Sequence, residues 1–371
     1  MKICSPQLGI TPNSTLGGEV YDREVLAEFA RMGHTIEILL PKNRLYDKSL
    51  KNFKVTFAPI KIIFPAYVYS LIILPYLFKT YRETKFDILR IHVHFLAFGA
   101  LIFKFFNPKV PVVAHYHLDE DGPIFNLVNQ IFLSKCDLVI ADSHYLKDKL
   151  ITKFKLNASK VKVVHCGTDL NIKPGPKDPT LLKKYNLKNK IVFIYMGRLI
   201  PRKRPDFLVD VFNKVHKSNP NTALLVFGEG PLKNQIVEKI EKYNIKDSVF
   251  LLGTTFGEEK IRFYNSSDVF IFPSINEGFV LVILEALAAG LPIVASKAVS
   301  FSESVQEGRN GFLVDPYNEK EWEKKMTELI TGSMLRKKFA IKSRSIAVKK
   351  FSWKQTAANN LKYYNSLIND K

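Results

Sequence analysis

The chain has 371 residues, enough for two domains of ordinary size with a core in each. Its composition, 46% hydrophobic and 24% charged, is that of a soluble globular protein and excludes a disordered or fibrous chain. A formal net charge of +20 favours anionic partners such as phosphorylated ligands or anionic lipid, while the three scattered cysteines, Cys4, Cys136 and Cys166, fit a reducing compartment and supply no metal or disulfide framework.

The N-terminal MKICSPQLGITP lacks the long apolar core of a secretory signal. The chain opens as strand, glycine loop, helix, strand: KICSPQL is extended, NSTLGG is turn-rich, EVYDREVLAEFARMG is apolar at helical spacing, and HTIEILLP is extended again. This βαβ unit sets Gly17 and Gly18 at the carboxyl end of its first strand, where α/β sheets place ligands. Between residues 38 and 82, Lys42, Arg44, Lys48, Lys51, Lys54, Lys61, Lys79 and Arg82 are opposed only by Asp47. They flank IIFPAYVYSLIILPYLF, residues 62–78, which is uncharged but barely long enough to span a bilayer and is interrupted by Pro65 and Pro75. It reads as a buried or membrane-facing element, and the cations around it as a footprint for an anionic membrane or as a lysine-rich rim on a core helix.

FDILRIHVH, VPVVAHYH and CDLVIADS continue the alternation of strands with helical runs, and VKVVHCG closes the first half. Two H-x-H pairs fall here, His92 with His94 and His115 with His117. Alternation would put each pair on one strand face, but without a third clear ligand a metal centre is not expected. The D-E-D of HLDEDG reads as a solvated loop. Residues 171–189, with three prolines and no apolar alternation, read as a linker. The strand pattern then restarts in KIVFIYMGRL, TALLVFGEG, SVFLLGT, DVFIFPS and LPIVAS. Two such runs imply two doubly wound parallel sheets facing each other across a cleft. Late in the chain, Arg336 to Lys354 reads as a solvated basic helix face, and FSWKQTAANNLKYYNSLI as an amphipathic helix.

Candidate functional residues follow the second-half strands. Arg198 and Lys203 in MGRLIPRKRPD suit a diphosphate, the arginine by bidentate contact and the lysine as a point charge. Gly228 and Gly230 in FGEGPLK allow close backbone approach, and the small residues of LLGTTF could admit a flat base. Glu277 and Gly278 follow FIFPS and precede an apolar helix, so the N–H groups of Phe279, Val280 and Leu281 would form an anion site. Glu285 lies about two turns further on, on a related face. Each signal also has a plain structural reading: an exposed basic turn, an ordinary turn glycine, a helix cap, a solvated carboxylate.

The run EGFVLVILEALAAGLPIVAS resembles the E-x7-E element of the family 4 retaining glycosyltransferases with the GT-B fold. The surrounding order is similar too: an N-terminal glycine loop, G-R-L-x-x-x-K, V-F-G-E-G-P, L-L-G, F-P-S-x-x-E-G-F, EGRNGFLVDP and a terminal FSW helix. The resemblance implies an α/β GT-B architecture of two Rossmann-like doubly wound parallel-sheet domains facing a central cleft. Residues 1–170 would be the acceptor-side domain, 171–189 the linker and 190–351 the nucleotide-sugar donor domain, with helix 352–371 packing back on the first domain. It further implies that Glu277 contacts hydroxyls of the transferred sugar and Glu285 the ribose. Arg198, Lys203 and the helix amides would hold the diphosphate, Gly17 and Gly18 approach phosphate and acceptor, and His117 lies beside the sugar. Two positions depart from the family pattern, Arg204 and Val280, where glycine is usual.

The expected function is transfer of a sugar, with retention, from a nucleotide-diphosphate-sugar to a glycan or lipid-linked hydroxyl in cell-envelope polysaccharide or glycolipid synthesis. No metal or other cofactor is expected. The alternatives are a nucleotide-sugar epimerase or inverting transferase of the same fold, with His117 or Asp119 as base, and a non-catalytic basic membrane-binding module. The basic excess carries no nucleic-acid motif. The expected location is the cytoplasm, peripheral on the inner face of the cell membrane; nucleotide, sugar and acceptor are left open.

Overall fold

The computed structural model describes residues 1–11, 13–14, 16–42, 44, 46, 52–59, 66–92, 96–117, 122–275 and 277–369. His94, the D-E-D with Asp119, Asn276, the cations Lys48, Lys51 and Lys61, Asp47 and residues 62–65 lie outside them. The chain divides into two compact units, residues 1–167 with 353–371, and residues 168–352.

The first unit contains β1 (Lys2–Pro6), α1 (Gly17–Arg31), β2 (Thr35–Pro41), β3 (Phe53–Ala58), α2 (Ala66–Ile72), α3 (Leu74–Thr84) and β4 (Ile88–His92). It continues through α4 (Ala97–Phe106), β5 (Val112–Tyr116), α5 (Pro123–Lys135), β6 (Leu138–Ala141), α6 (His144–Thr152) and β7 (Val161–Val163). The seven strands pair in the order β3-β2-β1-β4-β5-β6-β7, all parallel, with Ile3 opposite Ile36 and Ile3 opposite Ile88 fixing register around β1. Helices cover a parallel sheet on both faces, which is why VVAHY and LVIA are buried at every residue instead of alternating. The stretch around 62–78 resolves into α2 and α3, with Pro75 in the first turn of α3, where a missing N–H costs nothing. Tyr69, Ser70, Ile73 and Leu77 face the core. No helix among the described residues is long and apolar enough to cross a membrane. Gly99 lets α4 close on α2: a Cβ there would stand 2.0 Å from the Ser70 carbonyl oxygen, and the Gly99 N–H donates to Ser70 Oγ at 2.6 Å. Against α1 packs α14 (Trp353–Asn369).

The second unit contains α7 (Pro179–Lys184), β8 (Ile191–Met196), α8 (Pro205–Ser218), β9 (Thr222–Phe227), α9 (Lys233–Lys242), β10 (Val249–Leu251) and α10 (Gly257–Asn265). Then follow β11 (Val269–Phe272), α11 (Leu281–Ala288), β12 (Ile293–Ser296), β13 (Gly311–Val314), α12 (Glu319–Thr331) and α13 (Ser333–Lys350). Its six strands run β10-β9-β8-β11-β12-β13, again all parallel. Residues 171–189, expected as a linker, belong to this unit. Asp178 caps α7 by accepting from the Thr180 and Leu181 N–H groups, and its other oxygen takes Arg262 Nε at 2.6 Å. Arg344 on α13 donates to the carbonyls of Leu170, Ile172 and Ala288, tying this segment and the end of α11 to α13. The basic α13 is therefore solvated on one side only, since Phe339, Ser343, Ile346 and Ala347 are buried.

Candidate active site residues

In both sheets the strand order reverses beside the first strand, between β1 and β4 and between β8 and β11. The carboxyl ends flanking that reversal are where a doubly wound sheet leaves a crevice for ligands. Most sequence candidates fall at these two places, with Gly228 and Gly230 after the neighbouring β9 and His117 after the neighbouring β5.

In the second unit, β8 ends at Met196 and a single 3-10 turn, Pro201–Lys203, follows; β11 ends at Phe272 and leads to Ser274 and Glu277. Glu277 is buried, 9% exposed, and receives three partners: Lys203 Nζ at 2.8 Å on Oε1, Arg202 at 2.9 Å on Oε2, and the Ser274 hydroxyl at 2.8 Å on Oε1. The loops are pinned to each other by their backbones, the Ile275 N–H donating to the Arg202 carbonyl at 3.0 Å. Ser300 donates to the Glu277 carbonyl at 2.9 Å. Burial raises the Glu277 pKa, but Lys203 and Arg202 outweigh it and hold the carboxyl below the usual range. Burial likewise lowers the Lys203 ammonium, against the pull of Glu277. The same ammonium lies 4.9 Å from the Phe272 ring centre. A buried carboxylate thus keeps two cations in place, ready to exchange part of that contact for an arriving anion.

Arg202 is the residue that sequence reasoning missed. The G-R-L-x-x-x-K pattern selects Arg198 and Lys203, yet Arg198 is exposed and its carbonyl accepts from the Tyr195 hydroxyl at 3.2 Å, whereas Arg202 meets Glu277. Arg204 is half-buried with a left-handed φ of 51°; its guanidinium sits 3.9 Å from the Phe207 ring centre and donates to the Pro316 carbonyl. It holds the loop. Gly228 and Gly230 meet protein backbone: a Cβ on Gly228 would stand 1.9 Å from the Gly197 oxygen, and one on Gly230 2.4 Å from the Leu199 oxygen. They let the turn after β9 close over the turn after β8, where the Leu199 N–H donates to the Glu229 carbonyl.

The helix expected to follow Glu277 directly begins at Leu281, with Val280 as its cap residue. Gly278 and Val280 are buried, and Phe279 is half-buried with its ring 5.9 Å from Phe351. The N–H groups of the first turn, at Leu281 and Val282, have no i−4 carbonyl to bond. Glu285 lies within α11 and already has partners: Lys260 Nζ at 2.6 Å and the Tyr264 hydroxyl at 2.9 Å. Those bonds explain how an apolar helix carries it.

In the first unit, Gly17 and Gly18 are the first residues of α1. A Cβ on Gly18 would stand 2.7 Å from His92 Nε2, at the end of β4. His92 Nδ1 lies 2.9 Å from Asp22, a fully buried carboxylate on α1 that also pairs with the fully buried Arg90. His117, just past β5, stacks on His92 with ring centres 5.0 Å apart. Its Nδ1 is 3.1 Å from Asp142 Oδ2. A carboxylate only accepts, so His117 Nδ1 carries the hydrogen, and in the neutral ring Nε2, buried and without a hydrogen-bond partner among the described residues, is left as an acceptor. Of the four histidines, His115 turns to structure: its Nε2 is 2.7 Å from the Tyr364 hydroxyl of α14, and its Nδ1 is 3.3 Å from Tyr21. His117, Asp142 and Cys166 bring one nitrogen, one oxygen and one sulfur within 4.8 Å of one another, a set able to hold a cation. Burial pushes the Cys166 thiol pKa up, and Asp142 adds to it, so the sulfur is held as a thiol.

Comparison with known proteins gives two family matches that follow the two units. Residues 16–172 match the profile described as Glycosyltransferase Family 4, and residues 177–346 that described as Glycosyl transferases group 1. An uncharacterized glycosyltransferase of Methanocaldococcus jannaschii is 31% identical over 47% of this chain and 43% of its own. A D-inositol 3-phosphate glycosyltransferase of Stackebrandtia nassauensis is 28% identical over 69% of this chain and 61% of its own. The chain thus spans about half the length of the curated relatives it matches. Among solved structures, sucrose-phosphate synthase from Thermosynechococcus elongatus aligns with a TM-score of 0.85 at 17% identity over 100% of both chains. The Anabaena protein HepE, solved with UDP, aligns with a TM-score of 0.82 at 22% identity over 99% of this chain and 100% of its own.

Proposed function

Because this chain belongs to glycosyltransferase family 4 and has the GT-B fold, we propose that it moves a sugar from a nucleotide-diphosphate-sugar to a hydroxyl of a glycan or lipid-linked acceptor, with retention of configuration. The observation that carries this reading is the buried Glu277 held by Lys203, Arg202 and Ser274 beside the strand reversal of the second sheet. In the reaction, the sugar hydroxyls take over bonds to Glu277, and the diphosphate takes over bonds from Arg202 and Lys203. The first-turn amides of α11 and the exposed Arg198 add positive potential toward the departing phosphate. His117 Nε2 accepts from a sugar hydroxyl, and Glu285 exchanges part of its contact with Lys260 for the ribose. UDP in a structural neighbour supports a uridine donor as the first to test.

A hydride or a redox step has no part in this chemistry, and fixed cations supply the charge that a divalent ion would; addition of a chelator should leave the rate unchanged. The acceptor is proposed to be lipid-linked, for envelope polysaccharide or glycolipid synthesis at the inner face of the cell membrane, and the +20 charge supports an anionic surface there. The inverting alternative is favoured by one observation, the His117–Asp142 pair, which has the form of a general base with its orienting carboxylate. A panel of UDP-, GDP- and ADP-sugars tests both. Slow donor hydrolysis or transfer with the product anomer unchanged supports the proposal, an inverted anomer selects the alternative, and no binding of any nucleotide-sugar overturns both.

A further inference from the structure

We propose that the outer faces of α4 and α5 form a docking surface for an anionic lipid bilayer. Phe105 and Phe106 at the end of α4 are 80% and 66% exposed, and Leu127 and Ile131, one turn apart on α5, are 56% and 50% exposed. The two helices are neighbours, joined where Phe98 meets Phe132 with ring centres 5.6 Å apart. The patch is rooted in the core: Phe106 lies 5.9 Å from Phe78, which packs 5.3 Å from the buried Phe103. Large apolar side chains left in water on two adjacent helices are uncommon for a protein that meets no apolar partner.

Charge selects the partner. The sequences of α4, AFGALIFKFF, and α5, PIFNLVNQIFLSK, contain no carboxylate, and their only charged residues are Lys104 and Lys135. Lys109 follows α4, and Lys79 and Arg82 lie on the adjoining α3. The nearby Asp137 is neutralised by Lys104 and accepts the Val112 N–H at 2.7 Å. Aromatic side chains rimmed by lysines match the boundary between acyl chains and anionic headgroups, the rings entering and the ammonium groups staying with phosphate. A second copy of the chain would bring the same cations face to face, on a protein already carrying +20, so self-association is disfavoured. In the 62–78 stretch that the sequence singles out, Tyr69, Ser70, Ile73 and Leu77 are turned to the core, and Phe78 carries Phe106.

The proposal rests on the transferase reading for its purpose, since a lipid-linked acceptor is met at such a surface, but lipid binding is measured without a donor. The full chain is sedimented with vesicles of phosphatidylcholine containing about a third phosphatidylglycerol, and with phosphatidylcholine alone. The expected result is binding to the anionic vesicles that weakens with salt and falls about tenfold or more in F105S/F106S, and to a lesser degree in K109S/K135S. Near-ultraviolet circular dichroism and the thermal midpoint verify folding of each variant, and F105S alone serves if the double variant is unstable. Equal binding by wild type and F105S/F106S overturns the proposal, as does no binding by wild type. A wild-type dimer in sedimentation velocity that F105S/F106S dissolves would also overturn it, assigning the patch to a second copy. Vesicle binding without donor turnover would sink the transferase reading and leave this surface standing; donor turnover without vesicle binding would do the reverse.

Discussion

At the scale of single residues, the decisive group is Glu277, and its two cations are not equivalent. Lys203 is 12% exposed and Arg202 40% exposed in their side chains. Removing the carboxylate charge strands a buried ammonium, which costs about 3 kcal/mol or more. Glu277→Gln should therefore lower the urea midpoint as well as reduce turnover by about a hundredfold. Arg202→Ala, which leaves the Lys203 pair in place, should weaken donor binding while moving the midpoint little; isothermal titration with UDP-sugar and urea unfolding separate the two effects. An unchanged turnover in Glu277→Gln would refute the role given to the carboxylate. A second residue-scale prediction concerns Asp142, which positions His117 by fixing the hydrogen on Nδ1. Asp142→Asn can offer an amide to Nδ1 and so favour the other tautomer. The expected outcome is a drop in kcat of about tenfold or more with KM for the donor little changed. Equal losses in kcat and donor affinity would mean instead that the pocket itself had collapsed. Neither Arg202 nor Asp142 was legible beforehand. A single 3-10 turn gives no repeating period from which to read which of Arg198, Arg202 and Lys203 faces inward, and Asp142 meets its histidine from a different strand end.

At the scale of elements, the alternation of strand and helix was readable because parallel strands covered on both faces are continuous apolar runs: KIVFIYM, TALLVF and DVFIF could be little else. The two strands that went unread, β3 and β13, are the outermost of their sheets on one side each. Edge strands are half wet, and FKVTFA, with Lys54 and partly exposed residues at most positions, dilutes the apolar signal. GFLV was taken only as part of a family run. Glycines show the other limit of sequence reading. The pattern G-E-G announces close approach, but not to what. Here the approach is by backbone, and Gly228 has a φ of 138° that a side chain tolerates poorly. Gly228→Ala should destabilise the second unit by about 3 kcal/mol or more, seen as an earlier urea transition, because the clashing atom is a carbonyl fixed in a turn. Gly18→Ala sets two effects against each other. Alanine favours a helix over glycine by about 1 kcal/mol, but its Cβ would press on a His92 ring held by Asp22 and stacked on His117. A ring fixed on two sides cannot swing away, so the variant should lose both stability and turnover; a raised thermal midpoint would show that His92 moves freely.

For the molecule as a whole, the polar centre of the first unit links distant parts of the chain. α14 returns from the end of the sequence to close on it. Asn360 donates to the Tyr21 hydroxyl, Tyr21 meets His115 Nδ1, and Tyr364 meets His115 Nε2. A neutral imidazole satisfies both bonds, one nitrogen donating to a tyrosine hydroxyl and the other accepting from one. Burial is the largest influence on His115 and lowers its pKa well below the ordinary value, with Arg90 adding to it. Burial lowers His92 as well, outweighing the opposing pull of Asp22. A base whose folded-state pKa is depressed binds fewer protons when folded than when unfolded. As pH falls through the unfolded value near 6.5, the unfolded state gains protons first, and stability is lost. His115 gives a slope approaching about 1.4 kcal/mol per pH unit below that value, and His92 and the half-buried His34, whose pKa burial also lowers, add to it. Asp22 does not contribute in this window: its carboxyl is depressed further below an already acidic range, so it is ionised in both states near neutrality. The thermal or urea midpoint of the first unit should therefore fall steeply from pH 7 to pH 5. His115→Gln keeps one donor and one acceptor without a proton to gain, so it should flatten that dependence even if it lowers the midpoint at neutral pH. Because the steepness comes from the imidazoles of the first unit, a wild-type profile that is flat over this range, or one equally steep in His115→Gln, would show that α14 is held by something other than a neutral histidine.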